Sequence, residues 1–166
     1  MKQQLRISVR DLVEFLERSG DLDSRSGRGG DAKIMQAGSR LHRKIQGRMG
    51  SGYHAEVPLK YRKEWERFSL LIEGRADGIW TEEAFTTIDE IKGTFREVDR
   101  MTEPMRVHLA QARCYAYIYS EQNQLDKAGV RMVYANLETE DVRYFTENWE
   151  WPVLKAWFDD LMERYY

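Results

Sequence analysis

Two carboxylates and a lysine are spaced so that they could hydrolyse a phosphodiester. Asp77 closes Gly74-Arg-Ala-Asp77 after one β-like run, and Glu90-Ile-Lys92 closes a second. Two carboxylates can share a divalent metal, which neutralises charge on the phosphate and makes hydroxide available near neutral pH. A lysine beside them can hold the attacking water. Because residues two apart on a strand point to one face, Glu90 and Lys92 should stand together, and the pattern predicts a metal-dependent nuclease.

These signals also have plainer interpretations. Asp77, with Gly74 and Gly78 on either side, is also what a turn requires, and a Glu and a Lys two apart are ordinary partners on an exposed strand. A slip of the strand by one residue would bring Asp89 rather than Glu90 to the metal. The same slip would turn Lys92 away, so Glu90 is kept as the second carboxylate.

Three further side chains are candidates for the same site. His42 lies on the apolar side of a predicted helix, four residues after Gly38, where a histidine is either a core residue or a metal ligand. Gln111 and Tyr115 lie one turn apart on another predicted helix, and His108 shares their face. An amide and a hydroxyl can hold a phosphate or a sugar without adding charge. The plainer interpretation of that helix is an ordinary amphipathic one.

Length and composition limit the class of protein. The chain has 166 residues, which predicts one domain over 1–166. No apolar run approaches the ~20 residues of a membrane span, and the first residues lack a signal-peptide core. Cys114 is the only cysteine, which excludes an internal disulfide framework and a site built from several thiolates. We expect a cytoplasmic protein with no membrane partner.

The net charge of −2 is unevenly spread along the chain. Residues 138–166 carry eight acids against three bases. Residues 40–63 carry one acid, Glu56, against seven bases: Arg40, Arg43, Lys44, Arg48, Lys60, Arg62 and Lys63. A basic patch on one side of an acidic protein suits a polyanion, so Arg40, Arg43 and Lys44 are candidates for contact with DNA. The plainer interpretation is a solvated charged face.

Residue periodicity predicts the elements that must position these side chains. Ser8-Val-Arg-Asp11 resembles a capping box and begins a helix that reaches towards Gly20, and the polar, glycine-rich residues 21–30 form a flexible linker. A helix over 31–49 precedes strands at 55–61, 68–77 and 84–92. A helix over 104–120 precedes strands at 130–137 and 142–145 and a helix from Pro152. The order ααβββαββα predicts an α/β fold with a mixed central β-sheet flanked by helices.

Four short motifs stand in the order found in the PD-(D/E)XK nuclease superfamily, and within it in the RecB-type exonucleases. The chain resembles that branch over about residues 34–120, although Ala76 replaces the proline that names the superfamily. Residues 7–58 are also similar to nuclease modules fused ahead of DinG-type helicases. The motifs are Gly38-Ser-Arg-Leu-His42, Gly74-Arg-Ala-Asp77, Glu90-Ile-Lys92 and Gln111-Ala-Arg-Cys-Tyr115.

The resemblance implies a restriction-endonuclease-like core and a metal-dependent DNA exonuclease of repair or recombination, favoured over an endonuclease. It implies that Mg²⁺ or Mn²⁺ is bound by His42, Asp77, Glu90 and the Ile91 carbonyl. It also implies that Lys92 positions the nucleophilic water, while Gln111 and Tyr115 hold the DNA strand near its end. The implied partners are DNA ends and a helicase, fused or separate. The iron–sulfur cluster of the CRISPR-associated members is excluded, because Cys114 stands alone.

Two other functions remain as alternatives. A non-catalytic DNA-binding or assembly module of a helicase–nuclease would be favoured if an active-site acid were missing, and none is. A hydrolase of small phosphate esters would lack the basic patch and the pair Gln111 and Tyr115. The sequence therefore favours the nuclease and leaves open its polarity, its strand preference and its choice of metal.

Overall fold

The computed structural model describes residues 2–17 and 32–166, with the side chains of the second helix described from Gln36 onward. The predicted linker at 21–30 lies outside these residues. Four helices flank a six-stranded mixed sheet, which confirms the predicted α/β class. The elements are β1 (Gln3–Ser8), α1 (Val9–Glu17), α2 (Ala32–Gly47), β2 (Tyr53–Glu64), β3 (Phe68–Glu82), β4 (Phe85–Thr94), α3 (Arg106–Asn123), β5 (Lys127–Asn136), β6 (Val142–Glu150) and α4 (Trp151–Tyr165).

Strand β3 organises the sheet. It pairs antiparallel with β2 along one edge, from Ser69 to Trp80. Its other edge is shared, because β1 pairs with it in parallel over residues 68–73 and β4 pairs with it antiparallel over residues 78–82. Strand β4 continues into a parallel pair with β5, and β5 pairs antiparallel with β6. Residues 74–77 of β3 therefore face a gap between β1 and β4.

Two features differ in kind from the sequence prediction, and some strands also run beyond their predicted bounds, as β6 does to Glu150. The predicted order lacks β1, whose polar residues Gln3 and Gln4 leave little alternation to detect and whose partner, β3, lies far along the chain. Strand β3 also does not end at Asp77, as predicted, but continues to Glu82. The turn lies at Glu83 and Ala84, whose φ angles are 50° and 65°. The prediction of a turn around Asp77 was wrong, because the glycines there serve close packing within a strand.

Helices cover both faces of the sheet. The larger core cluster joins Leu12 of α1, Ile118 of α3 and Phe158 of α4 to Leu70 and Ile88 of the sheet. The smaller cluster joins α2 to the opposite face through Leu41, Ile45, Ile91, Val133 and Ala135. Strand β4 is therefore buried continuously over residues 86–91, as expected of a central strand covered on both sides. Any polar side chain in that stretch lies in a largely dry interior.

Local signals at the ends of the helices agree with the sequence. The Asp11 amide donates to Ser8 Oγ at 3.0 Å, so the predicted cap at the start of α1 is formed. Pro152 stands in the first turn of α4, as predicted, and Gln124 closes α3 in a left-handed conformation that the sequence had not indicated. Among the described residues, no helix combines the length and the apolarity that a membrane crossing requires.

Candidate active site

The candidate site forms where β3 and β4 separate. The last residue pair between the two strands is Gly78 with Asp89. Beyond this pair the strands diverge, and the Asp77 carboxylate lies in the opening between them. Its Oδ2 accepts the Ile91 amide proton at 2.6 Å. Ala76 and Ile79 belong to the same core cluster although they are three residues apart. The inward–outward alternation of β3 therefore shifts by one residue at this point, which aims Asp77 into the gap.

His42 reaches the same opening from α2. Its Nε2 lies 2.6 Å from the Ile91 carbonyl oxygen, and its Nδ1 lies 3.8 Å from Asp77 Oδ1. A carbonyl oxygen only accepts, so Nε2 is the donor in this contact, and Nδ1 is the ring nitrogen nearest the Asp77 carboxylate. Gln46, one turn further along α2, donates to the Asp77 carbonyl at 2.8 Å and ties the helix to β3.

Glu90 is the most deeply buried acid of the site. It is 2% exposed, and its Oε1 has no hydrogen-bond partner among the described residues. Burial raises the pKa of the Glu90 carboxyl well above its ordinary value, the Lys92 ammonium opposes that rise, and the Asp77 carboxylate adds to it. A buried carboxylate oxygen without a partner is unfavourable when charged, and a cation beside it would offset that penalty.

Lys92 is held between two elements. Its Nζ lies 3.0 Å from Glu90 Oε2 and donates to Gln111 Oε1 of α3 at 3.2 Å. The spacing of Glu90 and Lys92 on β4 therefore places the two charged groups together, as expected. Two of the three ammonium protons are used in these contacts, and one remains for another acceptor.

Gln111 and Tyr115 support the site from α3. Both are buried, at 6% and 3% exposure. The Tyr115 ring lies so close to Gly74 that a Cβ there would stand 2.5 Å from the phenol oxygen. Burial raises the pKa of Tyr115 to about 12, so the hydroxyl keeps its proton near neutral pH. Both side chains contact other residues of the protein. Their contact with DNA stays a prediction.

Asp89 belongs to a different cluster. Its carboxylate receives two hydrogen bonds from Arg131, at 2.9 and 2.7 Å, and one from the Tyr53 hydroxyl at 3.1 Å. The Arg131 guanidinium lies over the rings of Trp80 and Tyr144, at 5.1 and 5.0 Å. The structure thus places Glu90, not Asp89, beside Lys92. Nothing in the sequence pattern had indicated Arg131.

Sequence reasoning also missed Glu56. The ligand atoms of His42, Glu56 and Asp77 all lie within 4.8 Å of one another. Glu56 stands on β2 opposite Asp77, between the pairs Ala55–Gly78 and Val57–Ala76, and has a left-handed φ of 53°. Only the β2–β3 register reveals this proximity, because the linear sequence shows Glu56 merely as one acid in a basic run.

The predicted basic patch divides between two elements. Arg40, Arg43 and Lys44 lie exposed on α2 beside His42, where Lys44 pairs with Glu140 at 2.7 Å. Within the described part of the chain, Arg40 and Arg43 form no ion pair. The remaining bases near the end of the run lie on β2 instead. The positive charge that adjoins the site is therefore that of α2.

The sequence matches no family model and no curated protein. The fold matches 31 chains of solved structures, among them the crystal structure of SSO0001. That structure has a TM-score of 0.61 and 19% sequence identity, and the match covers 98% of this chain and 78% of that chain. The likeness establishes a shared fold.

Proposed function

We propose that this protein is a metal-dependent nuclease that hydrolyses DNA phosphodiester bonds, preferentially from strand ends. The observation that carries the proposal is the buried Glu90 carboxylate, close to Asp77 at a break in the sheet, with one oxygen on Lys92 and the other without a partner among the described residues. Acids are almost never this deeply buried unless they are paired, and Lys92 reaches only one of the two oxygens, which leaves the other for a metal cation.

The residues present fit a divalent cation. Asp77 and Glu56 supply carboxylate oxygens and His42 an imidazole nitrogen within 4.8 Å of one another, and Glu90, which is not part of that group, would add a buried carboxylate oxygen from β4. These are ligands that Mg²⁺ or Mn²⁺ accepts. The Ile91 carbonyl already accepts a hydrogen bond from His42 and keeps a second lone pair. A bound divalent cation would neutralise charge on the phosphate and make hydroxide available near neutral pH.

The protein groups position the reaction. The Ile91 amide fixes the Asp77 carboxylate, and Gln46 fixes the backbone of the same residue. Lys92 is fixed by Glu90 and Gln111, so its free proton can bind the attacking water or a phosphate oxygen. A positive charge held in place by the fold stabilises the more highly charged transition state without reorganisation. Arg40 and Arg43, beside His42, would hold phosphates of the approaching strand.

Cleavage of end-labelled linear DNA, single- and double-stranded, tests the proposal, with a closed circle as comparison. The reactions contain Mn²⁺, Mg²⁺ or a chelator, and wild type is compared with Lys92→Ala. Metal-dependent loss of linear DNA that spares circles and disappears in the variant supports an exonuclease that uses this site. Cutting of circles would instead make the protein an endonuclease.

Failure of the proposal has its own signature. Absence of cleavage with either metal, together with salt-sensitive DNA binding, would point to a non-catalytic module, for example one that works beside a helicase. Equal cleavage by wild type and Lys92→Ala would show that the activity arises elsewhere. Glu66→Gln, which alters an exposed acid in the turn between β2 and β3, is the matched control and should retain full activity.

A further inference from the structure

A second cationic surface lies beyond the end of β4. Four arginines line a groove of about 730 Å³ between the residues that follow β4, the start of α3 and the end of α4: Arg96, Arg100, Arg106 and Arg164. Two acids, Glu17 and Glu103, share the lining. The groove therefore has an excess of positive charge in a protein whose net charge is negative.

The four arginines differ in how far the described residues engage them, and Arg164 pairs with Asp160 at 3.5 Å. Arg100 pairs with Glu97 at 3.1 Å and Arg106 with Glu17 at 3.3 Å, and both arginines are more than 80% exposed. The Arg100–Glu97 pair is exposed on both sides, so it is weak and can be exchanged for a phosphate with little loss, whereas Glu17 is only 12% exposed and holds Arg106 more firmly. Arg96 is exposed and has no ion pair in the part of the chain that the structure describes.

A short chain of contacts connects this groove to the candidate site. Lys92 pairs with Tyr134 across β4 and β5, and the Tyr134 hydroxyl accepts the Met105 amide proton at 3.0 Å. Two residues further along the strands, Asn136 donates to the carbonyl of Arg96 at 2.8 Å. Met105 and Arg96 both line the groove, so Tyr134 and Asn136 of β5 connect it to the strand pair that carries Lys92.

Large apolar side chains accompany the arginines. Phe95, the residue before Arg96 in the chain, is 55% exposed and is not one of the residues that line the groove, whereas Met105 lines it and is 49% exposed. An exposed aromatic ring beside flexible cations is the combination that binds single-stranded nucleic acid, because the ring stacks on a base while the cations contact phosphates. Duplex DNA offers phosphates but keeps its bases stacked inside, so it would leave Phe95 without a partner.

We propose that the groove lined by Arg96, Arg100, Arg106 and Arg164 binds a single strand of DNA, with Phe95 stacked on one base. This inference rests on the proposed nuclease function and extends it to a defined path for the strand. The strand would contact Arg40 and Arg43 on α2, pass the acids of the candidate site, and continue into the groove. The same molecule would then be gripped on both sides of the bond that is cut.

Fluorescence polarisation of labelled single strands of about 12 nucleotides tests the inference, in chelator so that no strand is cut. Arg96→Ala/Arg100→Ala should weaken binding about tenfold or more and reduce the slope of log affinity against log salt by about 1.4, for two lost phosphate contacts. Phe95→Ala should weaken binding at least about fivefold with an unchanged salt slope. Arg6→Ala/Arg67→Ala removes the same charge from exposed positions elsewhere and should bind as wild type does.

The outcomes separate this inference from the proposed function. Equal binding by Arg96→Ala/Arg100→Ala and the control would overturn the groove while leaving the nuclease intact. Loss of duplex binding alone in that variant would overturn the single-strand assignment. If wild type neither binds nor cleaves DNA of any form, the proposed function fails and the groove proposal fails with it. Circular dichroism melts of all variants should coincide, because every substituted side chain is exposed.

Discussion

The phenol oxygen of Tyr115 occupies the space that a side chain at Gly74 would need. A Cβ at Gly74 would lie 2.5 Å from that oxygen and 2.9 Å from the nearest ring carbon. Gly74 stands at the start of the gap between β1 and β4, and Tyr115 is one turn beyond Gln111, which holds Lys92. The contact therefore sets how closely α3 approaches the strand that carries Asp77.

Gly74→Ala should destabilise the protein because the ring cannot move away without displacing α3. Overpacking of this kind costs roughly 1–3 kcal/mol. Urea unfolding would measure the loss. Gly38→Ala on α2 is the matched control, since no atom of the described residues lies within 4 Å of a Cβ added there, and the change should leave stability equal or raise it by up to about 1 kcal/mol. A Gly74→Ala variant as stable as wild type would show that the ring is free to shift.

The Asp89–Arg131 pair should be strongly coupled. Arg131→Met leaves the Asp89 carboxylate, which is 1% exposed, with the Tyr53 hydroxyl as its only side-chain donor among the described residues. The free energy of unfolding should therefore fall by about 3–5 kcal/mol. Adding Asp89→Asn removes the uncompensated charge and should recover at least about 1 kcal/mol, and a double-mutant cycle measures this coupling. The exposed pair of Lys155 with Asp159 is the comparison, and Lys155→Met should change stability by less than about 1 kcal/mol. Additive effects at Asp89 and Arg131 would contradict the prediction.

His108 should make stability fall in mild acid. Burial, together with the nearby charges of Lys92 and Arg10, lowers the pKa of His108 from 6.5 to about 4. The Tyr134 hydroxyl accepts from the Met105 amide and can donate to Nδ1 of neutral His108 at 2.8 Å. Since the folded pKa lies below the unfolded one, the unfolded chain binds more protons between pH 6.5 and about 4. Stability should drop through that window, by up to about 3 kcal/mol.

Urea unfolding between about pH 7 and pH 4.5 checks this dependence. His108→Gln cannot titrate, so its free energy of unfolding should fall less steeply with acid than that of wild type. The carboxylates titrate alike in both proteins and cancel in the difference. Parallel curves for the two proteins would show that His108 takes no part in acid destabilisation.

Glu90→Gln should separate stability from metal binding. The neutral amide removes a buried charge but also loses the ion pair with Lys92, so stability in chelator should stay within about 1 kcal/mol of wild type. A cation at about 100 times its dissociation constant should stabilise wild type by ~2.7 kcal/mol and the variant hardly at all. Thermal unfolding with Mn²⁺ or chelator measures both effects. Equal Mn²⁺ stabilisation of the two proteins would show that Glu90 is not a ligand.

The sequence predicted those parts of the site that depend on local periodicity. Glu90 and Lys92 stand together because of the two-residue repeat of a strand, and Gln111 and Tyr115 share a face because of the helical repeat. His42 was placed on the correct side of α2 by the same reasoning, since the helix covers Ile91. The α/β class followed from the order of such segments.

The remaining features depend on pairing between distant segments. Glu56 approaches Asp77 only through the β2–β3 register, and Arg131 reaches Asp89 only through the β4–β5 register. The sequence predicted a turn at Gly74. The glycine is instead required by the close approach of the Tyr115 ring, which arises only when α3 packs on the sheet. Strand β1 escaped prediction for the same reason, because its partner is β3 and not a neighbour in sequence.

The shared edge of β3 has a consequence for the order in which the protein assembles. Strands β2, β3 and β4 are joined by short connections, so their hairpins, with Asp77, Glu90 and Lys92, need little loop closure to form. Strand β1 pairs with residues 65 positions along the chain, as Gln3 does with Phe68, and long-range parallel pairing is slow. We expect a late intermediate in which the acids already lie together while the β1 side of the gap stands open. The last step of folding would then be the one that completes the β1 side of the space beside Asp77.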